Sequence, residues 1–127
     1  MDAVVSSEMA RLALVDDDAA LRHALAFSFE TQGFVVAAFA DAETALADPG
    51  LGEWRCLILD QRLPGMSGLD LLERLRAMAL ATPALLITSN PTRQMRSRAA
   101  RFGVEIIEKP LLDDVLVERV FALWPRH

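Results

Sequence analysis

Asp16, Asp17 and Asp18 close one apolar run, Leu14-Val15, and Asp60 closes another, Leu57-Ile58-Leu59. Two further runs end in Thr88-Ser89 and in Glu108-Lys109-Pro110. Carboxylates, a hydroxyl and an ammonium at four such ends suit a site that handles a cation or a phosphoryl group. Two carboxylates about 4 Å apart repel by roughly 4 kcal/mol at an effective dielectric of 20, so such a cluster either takes up protons or recruits a cation. Oxygen-only ligands with no His or Cys favour Mg2+, which takes one or two carboxylates, several waters and a phosphate oxygen. The triplet in isolation also admits a plainer reading, in which Asp18 caps a helix and its neighbours merely complement the helix dipole. Lys109 shifts that balance, because a lysine fixed by Pro110 can point toward Asp60 and act as a mobile charge for an incoming phosphoryl group. With Thr88 as a neutral donor, the set describes acyl-phosphate chemistry on an aspartate nucleophile. No Ser-His or Cys-His pair competes, and Gly65 and Gly68 lack either common phosphate-loop spacing, so Pro64-Gly65 reads as a turn.

These groups need elements to bring them together. Short runs rich in Val, Ile and Leu, separated by helical stretches, read as buried parallel strands, and such sheets bind ligands beyond their carboxyl edge. Strands are expected over 11–16, 34–39, 56–60, 84–88 and 104–107. A helix over 18–32 carries Leu21, Leu25 and Phe29 at i, i+4, i+8 and stops at Gly33. Asp41 is the N-cap expected for a short helix through Ala47, and Ser67 caps one bearing Leu69, Leu72 and Leu75, with Asp70 near its positive end. An arginine-rich helix starts at Pro91 and turns Met95, Ala99 and Phe102 inward. The last, 111–124, offers Leu116, Val117, Val120, Phe121 and Trp124 to the core. Five β-α units in alternation give an α/β fold: one five-stranded parallel sheet with five helices on both faces and right-handed crossovers.

Size and charge narrow the function classes. The 127 residues fit one domain, 11–124 behind a short N-terminal tail of residues 1–10, with no room for an effector domain. No stretch approaches the roughly 20 apolar residues of a membrane helix, and the start lacks the basic-then-apolar pattern of a secretory signal. With a single cysteine, Cys56, read as a small core hydrophobe, a cytoplasmic setting is expected. His23 reads as a surface residue. A net charge of -5 argues against nucleic-acid binding. Arg93, Arg96, Arg98 and Arg101 run against that trend and read as a solvated outer face or as a docking surface for an acidic partner.

Val15-Asp16-Asp17-Asp18, the stretch Leu59-Asp60-Gln61-Arg62-Leu63-Pro64-Gly65-Met66-Ser67-Gly68, the Thr88 strand end and Glu108-Lys109-Pro110-Leu111 together resemble the receiver domain of bacterial two-component response regulators. The likeness spans residues 11 to 124, and it is the order and spacing of the pieces that make it specific. It implies a flavodoxin-like strand order, 2-1-3-4-5, which sets the first and third strands side by side. It also implies that Asp60 is the phosphoacceptor, that Asp16, Asp17, Asp60 and the Arg62 main-chain carbonyl hold Mg2+, and that Thr88 and Lys109 bind phosphoryl oxygens. The Lys109-Pro110 bond is then expected to be cis. A sensor histidine kinase or phosphotransfer protein would be the donor, a downstream protein the target, and the domain would catalyse its own phosphorylation and acyl-phosphate hydrolysis without being an enzyme in the usual sense.

The chain departs from the family pattern in three places. Ile106 stands where most receivers have Tyr or Phe, Ser89 where a small Ala or Gly often follows the threonine, and the segment Asn90 to Phe102 is slightly short. These changes fall on a surface that family members commonly use for docking or for a homodimer, here residues 91–124. Arg62 and Asn90 flank the site where the lifetime of the phosphoryl group would be controlled. The alternative is a pseudo-receiver, a protein-binding module that signals without phosphorylation. A metal-dependent phosphatase would lack both a substrate-pocket motif and a phosphate loop.

Overall fold

The computed structural model describes residues 11–111 and 114–123. The tail of residues 1–10, and residues 112–113 and Trp124 of the last expected helix, lie outside the described residues, so the expectations placed on them have no counterpart below.

The chain alternates strand and helix: β1 (Arg11–Val15), α1 (Ala19–Thr31), β2 (Val35–Phe39), α2 (Ala42–Leu46), a 3-10 turn (Leu51–Glu53), β3 (Cys56–Asp60), α3 (Gly68–Ala77), β4 (Ala84–Thr88), α4 (Arg93–Arg101), β5 (Glu105–Glu108) and α5 (Val115–Leu123). All pairings are parallel, in the order β2-β1-β3-β4-β5 that the family resemblance implies. Side chains alternate across each strand, and that period of two divides the core. Ala13, Val15, Leu57, Leu59 and Leu86 pack with Ala42, Leu69, Leu72, Leu75 and Ala99, which places α2, α3 and α4 on one face. Leu12, Leu14, Ile58, Leu85 and Ile87 pack with Phe29, Leu116 and Val120, which places α1 and α5 on the other. β3 and β4 are buried at every position, as befits central strands of a covered sheet.

Helix starts follow their caps. Asp18, Asp41 and Ser67 accept hydrogen bonds from the amides of Leu21, Thr44 and Asp70, and Ser67 and Asp70 complete a capping box. Several boundaries differ from expectation, most by a single residue as at the end of β1 and the start of β2. α4 begins at Arg93 rather than Pro91, because the Thr92 hydroxyl accepts from the Met95 amide and takes the cap position. β5 begins at Glu105 rather than Val104, whose amide is used to close α4 on the Ala99 carbonyl. α5 covers a shorter span than 111–124, and Phe121 on it remains 41% exposed, its ring meeting Phe34 at 5.4 Å instead of entering the core. Cys56 is buried, and burial pushes its thiol up to about 12, so it behaves as the expected core hydrophobe. Among the described residues no helix is long and apolar enough to cross a membrane.

Candidate functional site

The sheet brings the ends of β1 and β3 side by side, Val15 in register with Leu59. The residues that follow therefore meet at the carboxyl edge. Asp16 is buried, its amide still pairing with Phe39 of β2, and its Oδ1 accepts from the Asp18 amide at 2.9 Å. Asp18 itself is the α1 cap. Asp18 thus serves the helix, as the plainer reading of the triplet has it, while Asp16 and Asp17 stand with Asp60 in an acidic cluster. Carboxylate oxygens of Asp16, Asp17 and Asp60 lie within 4.8 Å of one another.

Asp60, 4% exposed, is the last residue of β3. Its Oδ1 accepts from the Arg62 amide at 3.2 Å and its Oδ2 from Lys109 Nζ at 3.1 Å. Lys109 extends β5 by donating its amide to the Thr88 carbonyl at 2.9 Å, and its bond to Pro110 is cis. The same ammonium stands 3.7 Å from Asp16 Oδ2, too far for a hydrogen bond. Asp16 Oδ2 is consequently a buried oxygen with no hydrogen-bond partner. Burial pushes Asp16 above the usual carboxylate range; the Asp18 amide opposes this, Asp60 adds to it, Lys109 opposes it, and Asp17 adds a little more. Lys109 loses some affinity for its proton to burial, but the hydrogen bond and charge of Asp60, followed by the charges of Asp16 and Asp18, hold it above its ordinary value.

A buried, unsatisfied carboxylate oxygen beside two further carboxylates, with no nitrogen or sulfur donor among them, fits a hard divalent cation such as Mg2+. Asp16, Asp17 and Asp60 could supply oxygens to it, and the Arg62 peptide is held at the same place through its amide.

The remaining expected residues gather less tightly. Thr88 is buried at the end of β4 in register with Glu108, and its hydroxyl donates to the Ser89 carbonyl at 3.2 Å rather than to Asp60. Ser89 is half-buried, and Asn90 adopts a positive φ of 46°, a conformation asparagine tolerates. The Arg62 guanidinium spans the mouth of the site to the carbonyls of Ser89 and Asn90, at 3.2 and 3.5 Å. Ile106 is half-buried, packed against the core on the α2, α3 and α4 side. Pro110 is exposed.

Four residues that position the site were missed in the sequence. Gln61 holds the start of α3 with its side-chain oxygen, 2.8 Å from the Leu69 amide, while its own amide bonds the Ile87 carbonyl. At Gly68 the chain passes so close to β3 that a Cβ would collide with the Asp60 carbonyl oxygen. Glu43 of α2 accepts from the Met66 amide at 3.0 Å and tethers the β3-α3 loop. Arg22 reaches back to the Asp16 carbonyl. Each acts on backbone from a different element; only Gly68, one residue past a cap, left a trace that spacing could have revealed.

Residues 12–121 match the response regulator receiver domain, so the chain belongs to the receiver family of two-component response regulators. The transcriptional regulatory protein FixJ of Bradyrhizobium diazoefficiens is 38% identical over 109 residues, covering 84% of this chain and 53% of that protein. The two-component response regulator PhoP of Pseudomonas aeruginosa is 36% identical over 117 residues, covering 91% of this chain and 52% of that protein. The chain therefore spans about half the length of these curated relatives. Among solved structures, FixJ-N superimposes with a TM-score of 0.75 at 33% identity, over 87% of this chain and 90% of that one. A CheY-like receiver domain protein from Methanospirillum hungatei reaches a TM-score of 0.82 at 24% identity, over 90% of this chain and 92% of that one, a likeness of fold alone.

Proposed function

We propose that this domain is a phosphorylatable receiver in a two-component phosphorelay, in which Asp60 takes a phosphoryl group and the change alters binding to a downstream protein target. One observation carries the reading. Two buried aspartates from neighbouring strand ends share a single ammonium, and one of their oxygens, Asp16 Oδ2, has no hydrogen bond.

The donor would be a phosphohistidine on a sensor kinase or phosphotransfer protein, in a cytoplasmic setting. A carboxylate oxygen of Asp60 attacks phosphorus, a P–O bond forms, the P–N bond breaks, and the electron pair returns to the imidazole nitrogen. Asp16, Asp17, Asp60 and the Arg62 main-chain carbonyl would hold Mg2+, which when bound offsets the charge of the carboxylates and of the phosphoryl oxygens. Lys109 passes from Asp60 to a phosphoryl oxygen, and the Thr88 hydroxyl turns from the Ser89 carbonyl to another. In a separate step water attacks phosphorus, the P–O bond to Asp60 breaks, and Asp60 departs as carboxylate while inorganic phosphate is released, so the domain limits its own signal.

Ile106 favours a second reading, a pseudo-receiver that binds partners without phosphorylation. Its aliphatic side chain is packed against the core and offers neither an aromatic ring nor a hydroxyl to follow events at Asp60. Intact-mass spectrometry after incubation with acetyl phosphate separates the two. A Mg2+-dependent gain of one phosphoryl group, absent in Asp60→Asn, is the expected result. No gain in a protein that binds Mg2+ would favour the pseudo-receiver.

A further inference from the structure

Arg22 takes no part in the chemistry above, yet it sits against local preference. It lies in the first turn of α1, where the helix dipole disfavours a cation. Its half-buried side chain runs back over the β1-α1 turn, and Nη1 donates to the Asp16 main-chain carbonyl at 2.8 Å. From within the turn, the Asp18 amide holds Asp16 Oδ1 at 2.9 Å. Asp16 is thus held at its carbonyl and at one carboxylate oxygen, which leaves the buried Oδ2 beside Asp17 and Asp60.

We propose that Arg22 is a positioning residue for the cation site: by holding the Asp16 carbonyl it fixes the turn that presents Asp16 Oδ2 to a divalent cation. This rests on reading Asp16, Asp17 and Asp60 as the Mg2+ site. Outer hydrogen bonds made to a ligating group change metal affinity about 10- to 100-fold, and one made to the ligand's main chain, as here, belongs at the low end of that range.

Charge alone makes the opposite prediction. Removing a cation that lies on the Asp16 carbonyl, without disturbing the aspartates, makes the region more negative and should, if anything, tighten Mg2+ binding. The sign of the change therefore separates positioning from electrostatics.

The test is calorimetric titration of the full chain with Mg2+ alone, comparing wild type, Arg22→Met and Arg22→Lys, with circular dichroism and urea midpoints recorded first. Arg22→Met should bind Mg2+ roughly tenfold more weakly than wild type, and Arg22→Lys, which keeps the charge and one donor, should recover part of the loss. Unchanged or tighter binding in a folded Arg22→Met overturns the proposal. If that variant does not fold, Arg22→Lys decides: weaker binding than wild type supports the proposal, and equal or tighter binding overturns it. Wild type that binds no Mg2+ would overturn the metal site itself and this inference with it, whereas wild-type binding with indifferent variants would overturn the inference alone.

Discussion

Asp16 and Asp60 are held by the sheet close to a third carboxylate, Asp17, and to one ammonium that hydrogen-bonds only Asp60. At separations of about 4 Å each carboxylate pair repels by roughly 4 kcal/mol at an effective dielectric of 20, and a divalent cation relieves that repulsion directly. Asp16→Asn and Asp17→Asn should therefore be at least as stable as wild type without Mg2+, yet gain less thermal stability than wild type when millimolar Mg2+ is added. An identical Mg2+ shift in the variants would remove the proposed metal site. Gly68 makes a separate point about space. A Cβ there would meet the Asp60 carbonyl, which is backbone and cannot swing aside, so Gly68→Ala should lose about 1–3 kcal/mol in urea denaturation. Unaltered stability would mean that α3 can slide away from β3. Asp16, Asp60 and Lys109 were legible in the sequence because each closes an apolar run with a side chain whose chemistry is its own. Gln61, Glu43 and Arg22 were not, since they act on the amides or carbonyls of residues in other segments, and no local pattern records such a contact.

Among the described residues the helices are placed by the two-residue period of the strands and joined by few side-chain ties. One of these links α3 to α4: Arg98 Nη2 lies 2.9 Å from Asp70 and 2.7 Å from Glu73. The arginine run, read from sequence as either a solvated face or a docking surface, thus gives one member to a tie within the molecule. The hydrogen bond from Arg98 is the largest influence on the Asp70 carboxyl and, with the contacts of Ser67, holds it below the usual carboxylate range against the opposing effect of burial. The unfolded chain then binds a proton at Asp70 more readily than the folded one. The stabilisation is accordingly present above the ordinary carboxylate pKa and is lost as pH falls through the depressed folded value. Urea denaturation of wild type and Asp70→Asn should differ at neutral pH and converge in acid, by a modest amount because the pair is solvent-facing. A difference that stays constant with pH would contradict this. Strand limits were legible almost to the residue at β3 and β4, where burial on both faces demands an unbroken apolar run. The start of α4 was not, because Pro91 and Thr92 both suit a helix start and only the Thr92 hydroxyl makes the capping bond.

Across the whole molecule the carboxyl edge of the sheet gathers Asp16, Asp17 and Asp60, while α4 carries Arg93, Arg96, Arg98 and Arg101. Arg96 and Arg119 already face Glu108 and Glu105 at 3.8 and 3.2 Å, so a homodimer through residues 91–124 that used these side chains would exchange the pairs for pairs between subunits. Sedimentation with and without a phosphoryl analogue tests this: association weakened by Arg96→Glu is the expected result, and a monomer under all conditions counts against the dimer. The proposed function requires that Asp60 itself carry the phosphoryl group. Borohydride reduction after acetyl phosphate treatment, followed by peptide mapping, reads that directly, because an acyl phosphate is reduced to an alcohol and an aspartyl phosphate leaves homoserine in its place. Homoserine at position 60, formed only with Mg2+ present and missing in Asp16→Asn, is the predicted result. Homoserine at another aspartate, or none in a protein shown to bind Mg2+, would contradict it.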